Sequence, residues 1–293
     1  MIYDSIIIGG GPAGLTSAIY LRRANKNVLV LEANVCGGQI VTAKSVENYP
    51  GIKSISGFDL SENLRTQVLD LGTEIKYETV LKIDEDKNVY TAKNKYKAKT
   101  IIIAVGSKNR KLKIENEEKF IGKGVSYCAT CDGNFFKGKE VAVVGGGDTA
   151  LDDILYLSDI ASKVYGIVRK DKYKGEINEL KEIEKKDNVV IKYNSVVTGI
   201  EGDSKLEKII VNDNEELNIS GLFIAIGQEP NNMMFKNIVD IDENGYIITS
   251  EDVKTKVKGI YVVGDAREKL LRQLTTAVSD GALAATYAIK EME

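Results

Sequence analysis

Apolar residues in this chain gather into short runs that end in glycine, and between the runs the spacing of apolar positions becomes helical. The run YDSIIIGG (3–10) predicts a strand, GGGPAG (9–14) a turn, LTSAIYLRRAN (15–25) a helix and NVLVLE (27–32) a second strand. Together they form a βαβ unit. The same order recurs in EVAVVGGG (140–147), DTALDDILYLSDIA (148–161) and KVYGIV (163–168), so the chain carries an internal duplication. Segments such as EIKYETVLKIDED (74–86) and VYTAKNKYKAKT (89–100) predict short antiparallel meanders. These lead into apolar strands with glycine exits, TIIIAVGS (100–107) and GLFIAIGQEPN (221–231). A last strand, GIYVVGDA (259–266), precedes an apparent helix over 274–291. The fold class is α/β, with two Rossmann-like dinucleotide-binding domains, each with a small antiparallel β meander.

Gly9, Gly11 and Gly14 stand in the G-x-G-x-x-G register between strand and helix. One permits the tight turn, one lets the backbone approach a pyrophosphate, and one allows close helix-on-strand packing. Glu32 ends the second strand, where a carboxylate can accept hydrogen bonds from a ribose diol. Gly145, Gly147 and Ala150 fill the corresponding positions of the second unit, whose strand ends in Val168, Arg169 and Lys170, with Lys172 and Lys174 beyond. Cations there suit a 2′-phosphate; they equally describe an exposed loop.

The length of 293 residues accommodates two cores. No run reaches the roughly 20 apolar residues of a membrane span, and residues 1–10 lack the marks of a secretory signal, so the expectation is a cytoplasmic protein without a membrane partner. A net charge of −3 argues against nucleic acid. The chain has three cysteines and no histidine, which leaves carboxylates and thiols for proton chemistry.

Two of those cysteines lie in SYCATCDGNF (126–135). A zinc clip lacks ligands, since only Cys36 remains, and no metal is expected. A purely structural bridge over so short a loop restrains the unfolded chain little. A pair cycling between dithiol and disulfide is the reading that fits, and Asp132, next to Cys131, is the leading proton donor in a chain without histidine.

GGGPAG, CGGQ (36–39), VENYPG (46–51), CATCDG (128–133), VVGGGDTA (143–150), GQEPN, VVGDA and RQLTTAVSDG (272–281), in this order, resemble the low-molecular-weight thioredoxin reductases of the two-dinucleotide-binding-domain flavoproteins. The resemblance implies a discontinuous FAD domain (1–114 and 240–293) and an inserted NAD(P)-like domain (115–239) that carries the redox pair. It implies that Gly9, Gly11, Pro12, Ala13 and Gly14 wrap the FAD pyrophosphate and that Glu32 faces the ribose. Gly38, Gln39 and Asn48 border the flavin, Gly264 and Asp265 meet the ribitol or pyrophosphate, and Arg272, Gln273 and Leu274 run along the flavin. Two electrons then pass from FAD to the Cys128–Cys131 disulfide, through Cys131, and on to thioredoxin, in a homodimer. Gly145, Gly147, Asp148, Thr149, Ala150, Arg169, Lys170 and Lys174 are the implied NADPH site. Rotation about linkers near 112–118 and 236–244 would let the dithiol and the nicotinamide alternate at one flavin.

The resemblance frays at that second site. The family's His-Arg-Arg-x-x-x-Arg is here Val168, Arg169, Lys170 and Lys174, and its helix glutamate is Asp152. Lysine keeps the charge and loses the planar fork that grips phosphate. NADPH is the expected donor. The alternative is an acidic reduced ferredoxin steered by lysines of 107–113 or 170–174, and a reading from another class is a non-enzymatic flavin and disulfide redox sensor.

Overall fold

The computed structural model describes residues 2–43, 45–174 and 177–293. The chain opens with β1 (Ile2–Ile8), α1 (Pro12–Arg23) and β2 (Val28–Glu32), then α2 (Gly57–Asp70), β3 (Glu74–Tyr77), β4 (Val80–Ile83), β5 (Asn88–Thr91), β6 (Lys95–Ile103) and β7 (Ser107–Asn109). It continues through β8 (Val125–Ser126), α3 (Ala129–Asp132), β9 (Glu140–Val144), α4 (Asp148–Ser158), β10 (Lys163–Ile167), α5 (Ile177–Ile183) and β11 (Val189–Lys192). Then come β12 (Val197–Glu201), β13 (Lys208–Val211), β14 (Glu215–Asn218), β15 (Gly221–Ile224) and β16 (Gln228–Pro230), and the chain closes with β17 (Ile260–Val262) and α6 (Leu274–Glu291). These elements form two compact units: one runs to Lys108 and resumes at Glu229, the other is Asn109–Gln228.

In the first unit the sheet order is β3-β2-β1-β6-β5-β4, with β17 also on β6. The nine residues of β6 serve two partners on one edge: Lys95–Lys97 pair antiparallel with β5, while Ile101–Ile103 pair parallel with β17. Successive side chains point to opposite faces, so Ile6, Ile8, Ile101 and Ile103 enter one core, with Phe235 and Val239. Ile7 and Ile102 enter the other, beneath α1 and α6. The second unit repeats the plan with a parallel sheet, β11-β10-β9-β15-β8, and an antiparallel one, β12-β13-β14. There Val141 and Val143 pack with α4, and Ala142 and Val144 with the three-stranded sheet.

EIKY, expected in an antiparallel meander, is instead β3, a parallel edge strand on β2. The cause is α2, which carries the chain over the sheet as a crossover. This helix is not among the elements expected from the sequence; its start is capped by Ser56, whose hydroxyl accepts the Asp59 N–H at 3.0 Å.

The crossings between units lie at 108/109 and 228/229 rather than 114/115 and 239/240. Packing explains both shifts. Leu112 and Ile114 lean on the second unit's core, and Ile238 and Val239 are buried in the first. The expected swivel at 112–118 is fastened from within: buried Glu117 accepts N–H bonds from Leu112 (3.1 Å) and Lys113 (2.8 Å) and the Tyr127 hydroxyl (2.7 Å). Each crossing follows a left-handed glycine with open space about it, Gly106 (φ +64°) and Gly227 (φ +93°).

Candidate active site

The disulfide joins Cys128 and Cys131, with Cα atoms 5.3 Å apart. Cys128 precedes the single turn of α3, and Cys131 lies within it. The strand leading in, β8, supplies Ser126. Its hydroxyl donates to Asp132 Oδ2 at 2.6 Å and accepts the Cys128 N–H at 3.1 Å. One small side chain thus ties the carboxylate to the backbone of the first cysteine. Burial pushes the Asp132 carboxyl above its ordinary range, with the Ser126 bond opposing, so the acid keeps its proton to higher pH than a free aspartate. The two cysteines and Asp132 stand out in the sequence, and Ser126 does not. A serine two residues before a CxxC carries no pattern of its own.

In the first unit the glycine turn is built by close contacts. At Gly9 (φ +108°) a Cβ would lie 2.3 Å from the Ala104 carbonyl oxygen, and at Gly14 one would lie 2.1 Å from the Gly9 oxygen. A Cβ on Gly11 would meet nothing within 4 Å. Gly11 caps α1 with no side-chain hydrogen bond, and Pro12 occupies the first turn, where its missing N–H costs nothing. The helix therefore presents its orphan N–H groups to open space.

Glu32 is held in place before any ligand arrives. Its carboxylate accepts the Gly10 N–H at 2.6 Å and the Asn34 N–H at 2.8 Å, leaving each oxygen a further lone pair. Cys36 is buried against this turn, its thiol raised in pKa by burial. The loop that follows is pinned by the Gly37 N–H on the Gly10 oxygen at 2.8 Å, which brings Gly38 beside Gly11. Gln39 donates to the Ser107 carbonyl at 2.9 Å, and Asn48 to Gln273 Oε1 at 3.1 Å. Ala13 lies next to Gly264 and Gly281.

The turn carrying Gly264 and Asp265 is braced on both sides. Asp280, on α6, accepts the Gly264 N–H at 3.0 Å and pairs with Arg267 and Lys269. Buried Asn232 donates to the Ala266 carbonyl at 2.7 Å. Among the described residues the Asp265 carboxyl has no hydrogen bond, and burial raises its pKa against the pull of Lys269 and Arg272. Arg272 stacks on Tyr246 at 3.8 Å, and among the described residues its buried Nε has no partner. Gln273 caps α6, whose first residue is Leu274. An open glycine cradle, an unbonded acid and an orphaned guanidinium nitrogen converge on one unit, and this donor set fits a dinucleotide. Asp280 and Asn232 were not foreseen, because their partners lie 11 or more residues away in sequence.

The second glycine turn copies the first with informative changes. A Cβ on Gly145 would lie 2.3 Å from the Ala225 oxygen, and one on Gly147 would meet nothing within 4 Å. Asp148, Thr149 and Ala150 form the first turn of α4, with the Ala150 methyl buried. Where Glu32 underlies Gly10, Val168 underlies Gly146. The Lys174 N–H bonds the Gly146 oxygen at 2.7 Å, as that of Gly37 bonds Gly10. Arg169, Lys170, Lys172 and Lys174 are exposed around it, and Gly175 and Glu176 lie outside the described residues. No helix among the described residues is long and apolar enough to cross a membrane, and no metal-binding cluster of three His, Cys, Asp or Glu occurs among them.

The family described as pyridine nucleotide-disulphide oxidoreductase matches residues 3–281. The chain is 43% identical to the thioredoxin reductase of Borreliella burgdorferi, over 97% of this chain and 90% of that one. It is 42% identical to that of Listeria monocytogenes, over 100% and 94%. The crystal structure of thioredoxin reductase from Streptococcus pyogenes superposes with a TM-score of 0.94 at 38% identity, covering 100% and 99%. The chain belongs to the low-molecular-weight thioredoxin reductase family. This reductase is a thioredoxin-disulfide reductase, a flavin oxidoreductase whose redox-active disulfide is Cys128–Cys131, and the family implies FAD.

Proposed function

We propose that this reductase binds FAD in the first unit, takes electrons from NADPH at the second unit's glycine turn, and reduces the disulfide of a thioredoxin. The observation that carries this reading is the Cys128–Cys131 disulfide flanked by the Ser126–Asp132 hydrogen bond. When bound, FAD supplies the two electrons that open the disulfide. The N–H groups after Gly11 and the backbone of Gly9, Pro12, Ala13 and Gly14 hold its pyrophosphate, and the free lone pairs of Glu32 accept from the ribose. Gly264 and Asp265 would meet its ribitol or pyrophosphate. Gly38, Gln39, Asn48, Arg272, Gln273 and Leu274 border the ring.

Cys131 accepts the electrons and Cys128 attacks thioredoxin. Attack needs the thiolate, and the mixed disulfide then resolves by return of the second thiol. Asp132 donates the proton to a leaving sulfur and recovers it, with Ser126 fixing its direction. Replacing Asp132 by Asn lowers the rate of thioredoxin reduction by about a hundredfold with FAD content unchanged. In the wild type the rate falls as pH rises through the raised Asp132 pKa, because the donor form is lost; in Asp132→Asn a pH–rate profile is flat through that region. Equal rates and equal profiles would remove Asp132 from the mechanism.

Gly145, Gly147 and the first turn of α4, Asp148 to Ala150, form the nicotinamide dinucleotide cradle, and Arg169, Lys170 and Lys174 take the 2′-phosphate. The apolar Val168 supports this choice: a carboxylate there would repel that phosphate. The test is anaerobic. Oxidised enzyme mixed with NADPH loses its flavin absorbance rapidly at micromolar NADPH. Bleaching by reduced ferredoxin alone would overturn the NADPH assignment, and bleaching without sustained turnover on thioredoxin would turn the reading toward a redox sensor.

A further inference from the structure

Of residues 169–174, the basic stretch after β10, Tyr173 alone is buried; the others are exposed. Its side chain joins the core made by Val143 and Val164 of the sheet and Ile154 of α4. It meets Tyr193 edge to face, with ring centroids 6.0 Å apart. Among the described residues its buried hydroxyl has no hydrogen-bond partner. That hydroxyl lies over Gly166 of β10, where a Cβ would stand 2.7 Å from the Tyr173 oxygen. The same Cβ would approach Cδ1 of Ile191 (2.6 Å) and of Ile154 (2.9 Å). Those two atoms end flexible side chains that can turn aside, whereas the phenol oxygen is carried on a rigid ring. Gly166 therefore makes the room into which Tyr173 descends.

The main chain ties this stretch at both ends. The Val168 oxygen accepts the Ser195 N–H at 2.9 Å, and the Lys170 oxygen accepts the Asn194 N–H at 3.0 Å. At the far end the Lys174 N–H bonds the Gly146 oxygen, in the second glycine turn, at 2.7 Å. Between these ties Tyr173 is the side chain that draws the loop onto the core.

We propose that Tyr173, seated on Gly166, is the positioning residue for cofactor discrimination: it fixes the basic loop against the second glycine turn, so that Arg169, Lys170 and Lys174 meet a 2′-phosphate together. This assignment rests on the NADPH reading given above. A lysine ammonium is a compact charge on a flexible stem, without the planar fork that orients arginine on phosphate, so its attraction depends on where the backbone holds the stem. Water and salt screen exposed charges over about 8 Å, and cations that spread apart lose the phosphate between them. Loss of the seat weakens the grip on the 2′-phosphate and leaves the contacts of the Gly145 and Gly147 turn in place. The effect falls on the phosphorylated nucleotide and spares its unphosphorylated counterpart. The hydroxyl itself is dispensable, since a buried hydroxyl without a partner costs stability. Phenylalanine keeps the seat, leucine is too short to fill it, and a methyl on Gly166 pushes the ring out from below.

Holoenzymes of wild type, Tyr173→Leu, Tyr173→Phe, Gly166→Ala and the double variant Gly166→Ala/Tyr173→Phe are titrated with NADP⁺ and with NAD⁺ by calorimetry. The wild type binds NADP⁺ the more tightly. In Tyr173→Leu and in Gly166→Ala the ratio of the two affinities falls at least about tenfold, through NADP⁺ alone. Tyr173→Phe keeps the wild-type ratio and unfolds at the wild-type temperature or above. The double variant regains much of the ratio that Gly166→Ala loses, because the atom struck by the new methyl is gone. A purely structural role would lower both affinities alike. Hydrogen exchange needs no variant: in wild type the Lys174 amide is protected before any nucleotide is added, and rapid exchange there overturns the seat. A wild-type preference for NADP⁺ that survives in Tyr173→Leu and Gly166→Ala, or a loss shared by both nucleotides, overturns the role of Tyr173 alone. Equal binding of the two nucleotides by the wild type overturns the NADPH reading and this role with it.

Discussion

Cys131→Ser lowers thioredoxin reduction by at least about a thousandfold and leaves FAD content at the wild-type level. A serine hydroxyl cannot form or accept a sulfur–sulfur bond, so the path from flavin to substrate is cut at its middle. The chain offers no substitute, since its third cysteine, Cys36, is buried in the other unit with a thiol pKa raised by burial. Loss of folding does not account for such a result. The bridge spans a sequence separation of three, and in the chain-entropy view so small a loop contributes no more than about 2 kcal/mol. Turnover with thioredoxin, set beside flavin content, checks this. Cys128→Ser behaves alike in turnover.

The second large effect separates two kinds of glycine. Gly9→Ala places a methyl 2.3 Å from the Ala104 oxygen on a backbone at φ +108°, so overlap and left-handed strain together cost roughly 3 kcal/mol or more. The variant is isolated destabilised and without flavin. Gly11→Ala meets nothing within 4 Å, at φ −74°, and its cofactor-free stability stays within about 0.5 kcal/mol of wild type. Its FAD affinity nevertheless falls at least about tenfold, because the methyl takes the space through which the pyrophosphate approaches. Thermal unfolding of the apoproteins, with FAD titration by fluorescence, distinguishes the two. A Gly11→Ala protein of wild-type affinity would contradict the assignment of the cradle.

Much of this was legible in the sequence, and what was not has common causes. The two βαβ units announce themselves because their strands are apolar throughout and their turns need glycine. The CxxC and Asp132 stand out by residue type. Residues whose partners are distant stayed hidden: Glu117 on Tyr127 and Asp280 on the Gly264 turn. Periodicity also says nothing of which edge a strand joins, so β3 was assigned to the wrong pairing. Both expected unit boundaries lie too far toward the C-terminus, because burial of Leu112, Ile114, Ile238 and Val239 depends on cores assembled from elsewhere in the chain. The basic loop after β10 was legible as charge alone, since the same lysines suit a phosphate or an acidic protein.

On the proposed path, electrons held on the enzyme leave through Cys128 and Cys131 to thioredoxin. That path is tested most directly by a single turnover without air. Enzyme reduced chemically and freed of reductant is mixed with oxidised thioredoxin, and new thiols on thioredoxin are counted as the flavin spectrum is followed. Two thiols per thioredoxin reduced are expected, appearing together with loss of enzyme thiols, and none from Cys128→Ser or Cys131→Ser enzyme. Thioredoxin thiols formed at the wild-type rate by either serine variant would contradict it.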